Sequence, residues 1–158
     1  MCLKTGEQIV HLFLLACIYK YGMGELELLA RIIKCEAGGE GDIGMRAVAT
    51  VVMNRVRQGT GEYGRYNTVN DVVFAPRQFE CATNQPQSIY YISPDGIHYD
   101  IARRALAGER LAEVGDALWF FNPYSDYCRP NFPNENGYFL TRIGNHCFYA
   151  PTSSYYST

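Results

Sequence analysis

Glu36 stands where a carboxylic acid is hard to keep ionised. Leu26, Leu29, Ala30 and Ile33 recur at the i, i+3, i+4, i+7 spacing of an amphipathic helix, with Glu27, Arg31 and Lys34 directed elsewhere. On such a helix Glu36 lies one turn beyond Ile32 and Ile33 and shares their apolar stripe. The run then enters Ala37-Gly38-Gly39, which ends it. Burial penalises the charged form of a carboxyl, so a Glu at the inward end of an apolar stripe tends to keep its proton, and a protonated Glu at neutral pH can act as a general acid. The competing reading is a solvated charge at a helix end, the ordinary fate of a lone Glu.

Other residues could join that chemistry. Glu40 is the nearest second carboxylate, and on a continuous helix its Cβ would lie ~5–6 Å from that of Glu36. It is open to three roles: a structural or substrate-positioning acid, the base of a hydrolytic pair, or a surface charge. Asn54 and Arg55 close a second apolar helix, where Arg55 is expected to pair with an acid. Gln78 and Phe79 follow a Pro-containing loop and could line a groove, with core packing the equal alternative for Phe79. Asn122 at a strand end and His146 near a hairpin turn are further candidates to face a cleft, whereas Trp119, mid-strand, is expected in the core.

The elements that must position these residues follow from periodicity and punctuation. A helix is expected over residues 26–36 and a second over 43–57, capped by Asp42 and apolar almost all round at its centre, so that it crosses the core. A short helix over 69–74 and another over 95–108, with Ile97, Ile101, Ala105 and Leu106 inward, complete a helical half. Residues 77–87 read as irregular surface structure. Residues 117–121 suit a strand, 124–137 a long loop, and 138–143 with 146–149 a hairpin turning at Gly144-Asn145. The fold class is α+β: a helical core followed by a small antiparallel sheet.

Composition bounds the rest. The chain of 158 residues, 47% hydrophobic and 19% charged, suits one globular domain. A net charge of −2 argues against nucleic acid as a partner. Six cysteines show no zinc-knuckle or redox spacing and are read as reduced and buried, with a Cys128–Cys147 bridge across the hairpin as the exception. Three scattered His and no Asp-rich loop give no metal or calcium site, and no cofactor is expected. Residues 9–18 are too short to span a bilayer and too weakly charged in front to make a clear signal peptide. Leu14-Leu15-Ala16-Cys17 matches a lipoprotein cleavage box only in outline. The expected organisation is an extension or leader over 1–23, a catalytic domain over 24–152 and a Tyr/Ser tail over 153–158.

Ordered blocks give a resemblance. Glu36-Ala37-Gly38-Gly39-Glu40, Gly44 and a helix ending Asn54-Arg55-Val56 come first. Gln78-Phe79, residues 102–106 with Gly108-Glu109, residues 117–123, and residues 144–149 with Pro151-Thr152 follow. Over residues 25–152 the chain resembles the spore-cortex-lytic cell-wall hydrolases of the SleB/CwlJ family. Residues 40–45 and 146–149 look closer to the CwlJ branch. Gly38 and Met45 depart from the SleB-type pattern, which usually has Arg and Gln there. The resemblance implies a lysozyme-like, lytic-transglycosylase-like fold and cleavage of peptidoglycan glycan between N-acetylmuramic acid and N-acetylglucosamine. It also implies Glu36 as the catalytic acid, action in the spore coat, cortex or cell wall, and spore-coat proteins as potential partners.

Two rivals stay open. A cell-wall cysteine peptidase or amidase would use Cys35 and His146 as nucleophile and base. A non-catalytic coat or glycan-binding protein would use the 13 tyrosines, including the terminal Tyr155-Tyr156, for contacts.

Overall fold

The computed structural model describes residues 23–158. The readings made on the N-terminal apolar run, on Cys2 and on Cys17 lie outside the described residues. Helix α1 (Glu25–Ala37) buries Leu28, Leu29, Ala30, Ile32, Ile33 and Ala37, a wider stripe than the four residues expected. Leu26 lies only partly buried at its edge. Lys34 in the last turn complements the helix dipole, and Gly38 closes the helix by donating its N–H to Lys34 O.

Helix α2 (Gly41–Arg57) is the axis of the molecule, and every residue from 47 to 55 is buried. Val48 and Val52 face the helical layer with α1, α3 (Val69–Val73) and α5 (Gly96–Leu106). Ala47 and Val51 face the opposite way, onto Leu111, Val114, Ala117 and Phe148 below the sheet. A helix that separates two cores must be apolar all round, as the sequence has it. Asp42 does not cap α2: the helix starts two residues earlier than expected, at Gly41, Glu40 takes the cap position, and Asp42 falls in the first turn, where it pairs with Arg46.

The smaller helices follow their caps. Thr68 and Asp71 form a reciprocal capping box at α3, and Asp95 and His98 another at α5. The second box turns His98 inward, leaving it 5% exposed, while Ile97, expected inside, is 44% exposed. Within the segment expected to be irregular, Glu80–Thr83 forms one short helix, α4.

Strands β1 (Trp119–Phe121), β2 (Gly137–Ile143) and β3 (His146–Pro151) form an antiparallel sheet in the order β1-β3-β2. The central strand β3 is buried from His146 to Ala150. Trp119 packs against Tyr63 and Tyr155. The closing segment is not a free tail: Tyr155 is fully buried, its hydroxyl donating to Thr60 O at 2.7 Å and accepting from Tyr63 N.

Glu40 locks the hairpin to the corner between α1 and α2. Its carboxylate accepts from Asn145 N at 2.8 Å and Asn145 Nδ2 at 3.0 Å. Two glycines make room for it. A Cβ on Gly144 (φ 56) would meet Glu40 Oε2 at 2.0 Å, and one on Gly44 would meet Glu40 Cβ at 2.4 Å. The Asn145 backbone N–H is the main force holding the Glu40 carboxyl below its usual range. The Asn145 amide, His146 and Arg142 add to it, and burial opposes it. A depressed carboxylate contributes stability above its unfolded pKa and loses it as pH falls through the folded value. Glu40→Ala is therefore expected to cost about 1 kcal/mol at neutral pH. In urea unfolding that deficit shrinks as pH falls below the ordinary carboxylate range and through the lowered folded pKa, and a deficit that does not change with pH would show that the carboxylate charge is not the lock.

Candidate active site

The Glu36 side chain comes off the last turn of α1 into a cleft of about 610 Å³. One wall is helical, with Cys35, Glu36 and Arg55, together with Gln78, Glu80 and Cys81 from the segment around α4. The other comes from the sheet side, with Phe120, Phe121, Asn122, Tyr124 and His146. The cleft thus lies where the helical layer meets the sheet.

Glu36 is half-buried, and its pKa is pushed up from 4.5 to about 7. Desolvation by burial is the main cause; the Arg55 charge pulls it down, and the Glu80 charge pushes it up again. Cys35 and Cys81 are joined in a disulfide between α1 and α4. Their sulfurs lie 3.8 and 3.9 Å from Glu36 Oε1. A disulfide sulfur has no proton to donate, so these are apolar contacts standing where water would otherwise solvate the carboxyl. The reduced state expected for these two cysteines is thereby corrected. It was not readable because the partners are 46 residues apart and belong to different elements. The expected Cys128–Cys147 bridge is present. Cys35, Glu36 and Cys81 bring ligand-type atoms within 4.8 Å of one another, yet with each sulfur bonded to the other they offer no thiolate to a metal. The same bond removes Cys35 as a nucleophile, and with it the peptidase reading.

Arg55 is buried but does not pair with an acid among the described residues. Its Nε donates to Leu118 O at 2.7 Å and its Nη1 to Gln78 Oε1 at 3.1 Å, and its guanidinium lies over the rings of Tyr63 and Phe79. It therefore sets a fixed positive charge near Glu36 without neutralising it. Gln78 lines the cleft and also accepts from Tyr63 Oη at 3.0 Å. Asn122 lines it too, its Oδ1 accepting from Tyr124 N at 2.8 Å. His146 sits on the cleft wall against the Phe120 ring; burial holds its pKa down, and the Glu40 charge opposes that.

Three of the expected site residues fall elsewhere. Phe79 is 2% exposed and belongs to the core, with its backbone carbonyl starting α4. Asn54 gives its amide to Gly115 O and Ala117 O, both at 2.9 Å, and so ties α2 to the segment leading into β1. Glu40 is consumed by the hairpin lock and does not line the cleft. The second carboxylate in the cleft is Glu80, which spacing from Glu36 could not find because the Cys35–Cys81 link brings it there.

Residues 39–149 match the family described as Cell Wall Hydrolase. The chain belongs to that family. The match begins just after the turn of helix that carries Glu36. Among similar proteins, "Cell wall hydrolase CwlJ" of Bacillus subtilis (strain 168) is 33% identical over 129 residues, covering 82% of this chain and 87% of that protein. The protein of the same name from Halalkalibacterium halodurans is 34% identical over 131 residues, with 82% and 87% covered. The "Spore cortex-lytic enzyme" of Bacillus cereus is 31% identical over 128 residues, which is 81% of this chain but 45% of that longer protein. The branch is thus the CwlJ-like one. In fold, the chain is similar to the catalytic domain of the germination-specific lytic transglycosylase SleB from Bacillus anthracis. The TM-score is 0.62 at 27% identity, covering 82% of this chain and 98% of that one. The expected α+β, lysozyme-like architecture is the observed one.

The desolvated Glu36 carboxyl carries a cost in stability. A carboxyl whose folded pKa is raised binds more protons folded than unfolded, so its contribution is complete below pH ~4.5 and is lost as pH rises toward about 7. Glu36→Gln removes the penalty. The variant is expected to unfold at higher urea than the parent at pH ~8, by on the order of 2 kcal/mol, and at nearly the same urea at pH ~4. A variant less stable at both pH values would mean that Glu36 is not a desolvated acid.

Proposed function

We propose that this cell wall hydrolase cleaves the glycan strand of peptidoglycan between N-acetylmuramic acid and N-acetylglucosamine, in the spore cortex during germination, as a lytic transglycosylase with Glu36 as its one essential carboxylate. The observation that carries the reading is the Glu36 carboxyl, half-buried at the end of α1 and lining an open cleft, where burial raises its pKa to about 7 and favours the protonated form. In the proposed reaction Glu36 gives its proton to the glycosidic oxygen as the C1–O bond breaks. Positive charge develops at C1. The C6 hydroxyl of the same muramic acid attacks C1, and the Glu36 carboxylate takes the hydroxyl proton, leaving a 1,6-anhydro end and a protonated acid. A group that must first give and then take a proton works best with a pKa near the working pH.

Similarity to the SleB catalytic domain supports this reading, as do the names of the relatives above. The pairing of all four described cysteines suits an oxidising compartment such as the spore's outer layers. No helix among the described residues is long and apolar enough to cross a membrane.

Glu80 favours a second reading, since a carboxylate in the same cleft could serve as base for a water and make the enzyme a hydrolysing muramidase. Mass spectrometry of the fragments released from purified cortex separates the two. Transglycosylation gives 1,6-anhydromuramic ends and hydrolysis gives reducing ends. Glu36→Gln is expected to abolish release in a folded protein; release at the normal rate would remove Glu36 from the mechanism.

A distinct prediction concerns Glu80→Gln. The variant keeps its anhydro product, and the alkaline fall of its pH profile moves to lower pH, because a negative charge that raises the Glu36 pKa is gone. Loss of activity at every pH would instead favour Glu80 as a base.

A further inference from the structure

The cleft does not end at the acid. A second depression of about 340 Å³ lies beyond Arg55, Gln78 and Phe120, which border both concavities and form a saddle between them. We propose that this second depression is a saccharide-binding site for further N-acetylhexosamine units of the same strand, so that the glycan lies across the saddle and is gripped on both sides of Glu36. The proposal rests on the glycan-cleaving reading above and specifies how that substrate is held.

The chemistry of the depression fits a sugar chain. Partly exposed Phe132 lines it above the buried Tyr63 and Trp119, and its rim is polar, with Arg77, Asn134 and Asn136. An apolar ring surface for pyranose C–H groups, edged by donors for hydroxyl and acetamido oxygens, is what a sugar chain requires, and Phe132 beside Arg77, Asn134 and Asn136 offers both. The Arg77 side chain is exposed and forms no hydrogen bond or ion pair among the described residues, so its donors are free for a ligand. At the saddle the Arg55 guanidinium, which can only donate, fixes the Gln78 amide with its oxygen inward. Tyr63 Oη donates to the same oxygen. The Gln78 NH2 group is left without a partner among the described residues, available to a carbonyl or hydroxyl oxygen crossing the saddle.

The backbone marks the same groove independently. Among the described residues three non-glycine residues have positive φ: Arg77 (60), Tyr124 (53) and Asn134 (43). Arg77 and Asn134 line the second depression, and Tyr124, 91% exposed, stands on the rim of the first. Asn tolerates this conformation, but Arg and Tyr do so only when their surroundings impose it. Such residues gather at ligand-binding sites, where a side chain must be aimed against its local preference. Here all three line one or the other of the two adjoining depressions.

The test uses the full chain carrying Glu36→Gln, so that binding is read without cleavage, and di-, tetra- and hexasaccharide glycans prepared from peptidoglycan, by isothermal calorimetry. Affinity is expected to rise with length. Adding Arg77→Gly and Asn134→Gly should lower hexasaccharide affinity about tenfold while leaving the disaccharide unchanged. Glycine accepts positive φ without strain, so the same variant should melt no lower than its parent, which separates lost binding from lost folding. Equal affinity of the two proteins for every length would overturn the second site and leave the catalytic reading standing. No binding of any length to either protein would overturn the glycan reading and this site with it.

Discussion

A carboxyl that keeps its proton near neutral pH has to be shielded from water, and the elements that meet at Glu36 provide that shield. Its helix places it one turn beyond fully buried isoleucines, and the Cys35–Cys81 disulfide covers one of its oxygens with sulfur. Water exclusion alone would raise the pKa further, and under the proposed mechanism the group would then be a poor base. Arg55 moderates it. A guanidinium bonded directly to the carboxylate would drive the pKa down and end its use as an acid. The fold avoids this by committing Arg55 to a backbone carbonyl, an amide oxygen and two ring faces. The charge is felt at Glu36 and the hydrogen bonds go elsewhere, and the balance falls near 7.

The position of Glu36 was legible in the sequence because it depends only on helical period and on where the glycines stop the helix. The hairpin at Gly144-Asn145 and the all-apolar α2 were legible for the same local reason. What the sequence could not show depends on partners far along the chain. Glu40 looks like a member of a carboxylate pair by spacing, but it is held by Asn145, 105 positions away. Asn54 resembles a site residue at a helix end, and its amide instead satisfies two carbonyls ahead of β1. Glu80 carries no periodic signal, and it enters the cleft because Cys81 is tied to Cys35. The exchange of Ile97 for His98 at the inner face of α5 has a local cause, the capping box, which overrides hydrophobic pattern at a helix start.

The motif glycines also acquire a physical reason. Gly44 and Gly144 are distant in sequence, yet each keeps its Cβ position empty for the same side chain, Glu40. The corner after Glu36 and the turn before His146 are therefore joined by one carboxylate. That contact fixes the helical wall of the cleft relative to the sheet wall. Cys128–Cys147 does the corresponding work on the far side, holding the loop after Asn122 against β3 next to His146. A cleft assembled from two layers needs such cross-links, because neither the helices nor a three-stranded sheet alone would hold the opposing walls in register.

Several costs of the fold lie along one groove. Glu36 is desolvated, Arg77 and Tyr124 hold unfavourable backbone angles, and the Gln78 amide has half of its hydrogen-bonding capacity unused. Away from the groove, α3 and α5 begin in capping boxes. A sequence selected only for stability would remove the first two of these with single substitutions: a neutral residue at 36, and glycine at 77 and 124. Their occurrence together, on the walls of two depressions joined at Arg55, Gln78 and Phe120, is the physical argument for reading the groove as one binding surface. Within that surface, desolvation keeps the acid charged with its proton, and the strained residues direct their side chains toward a strand.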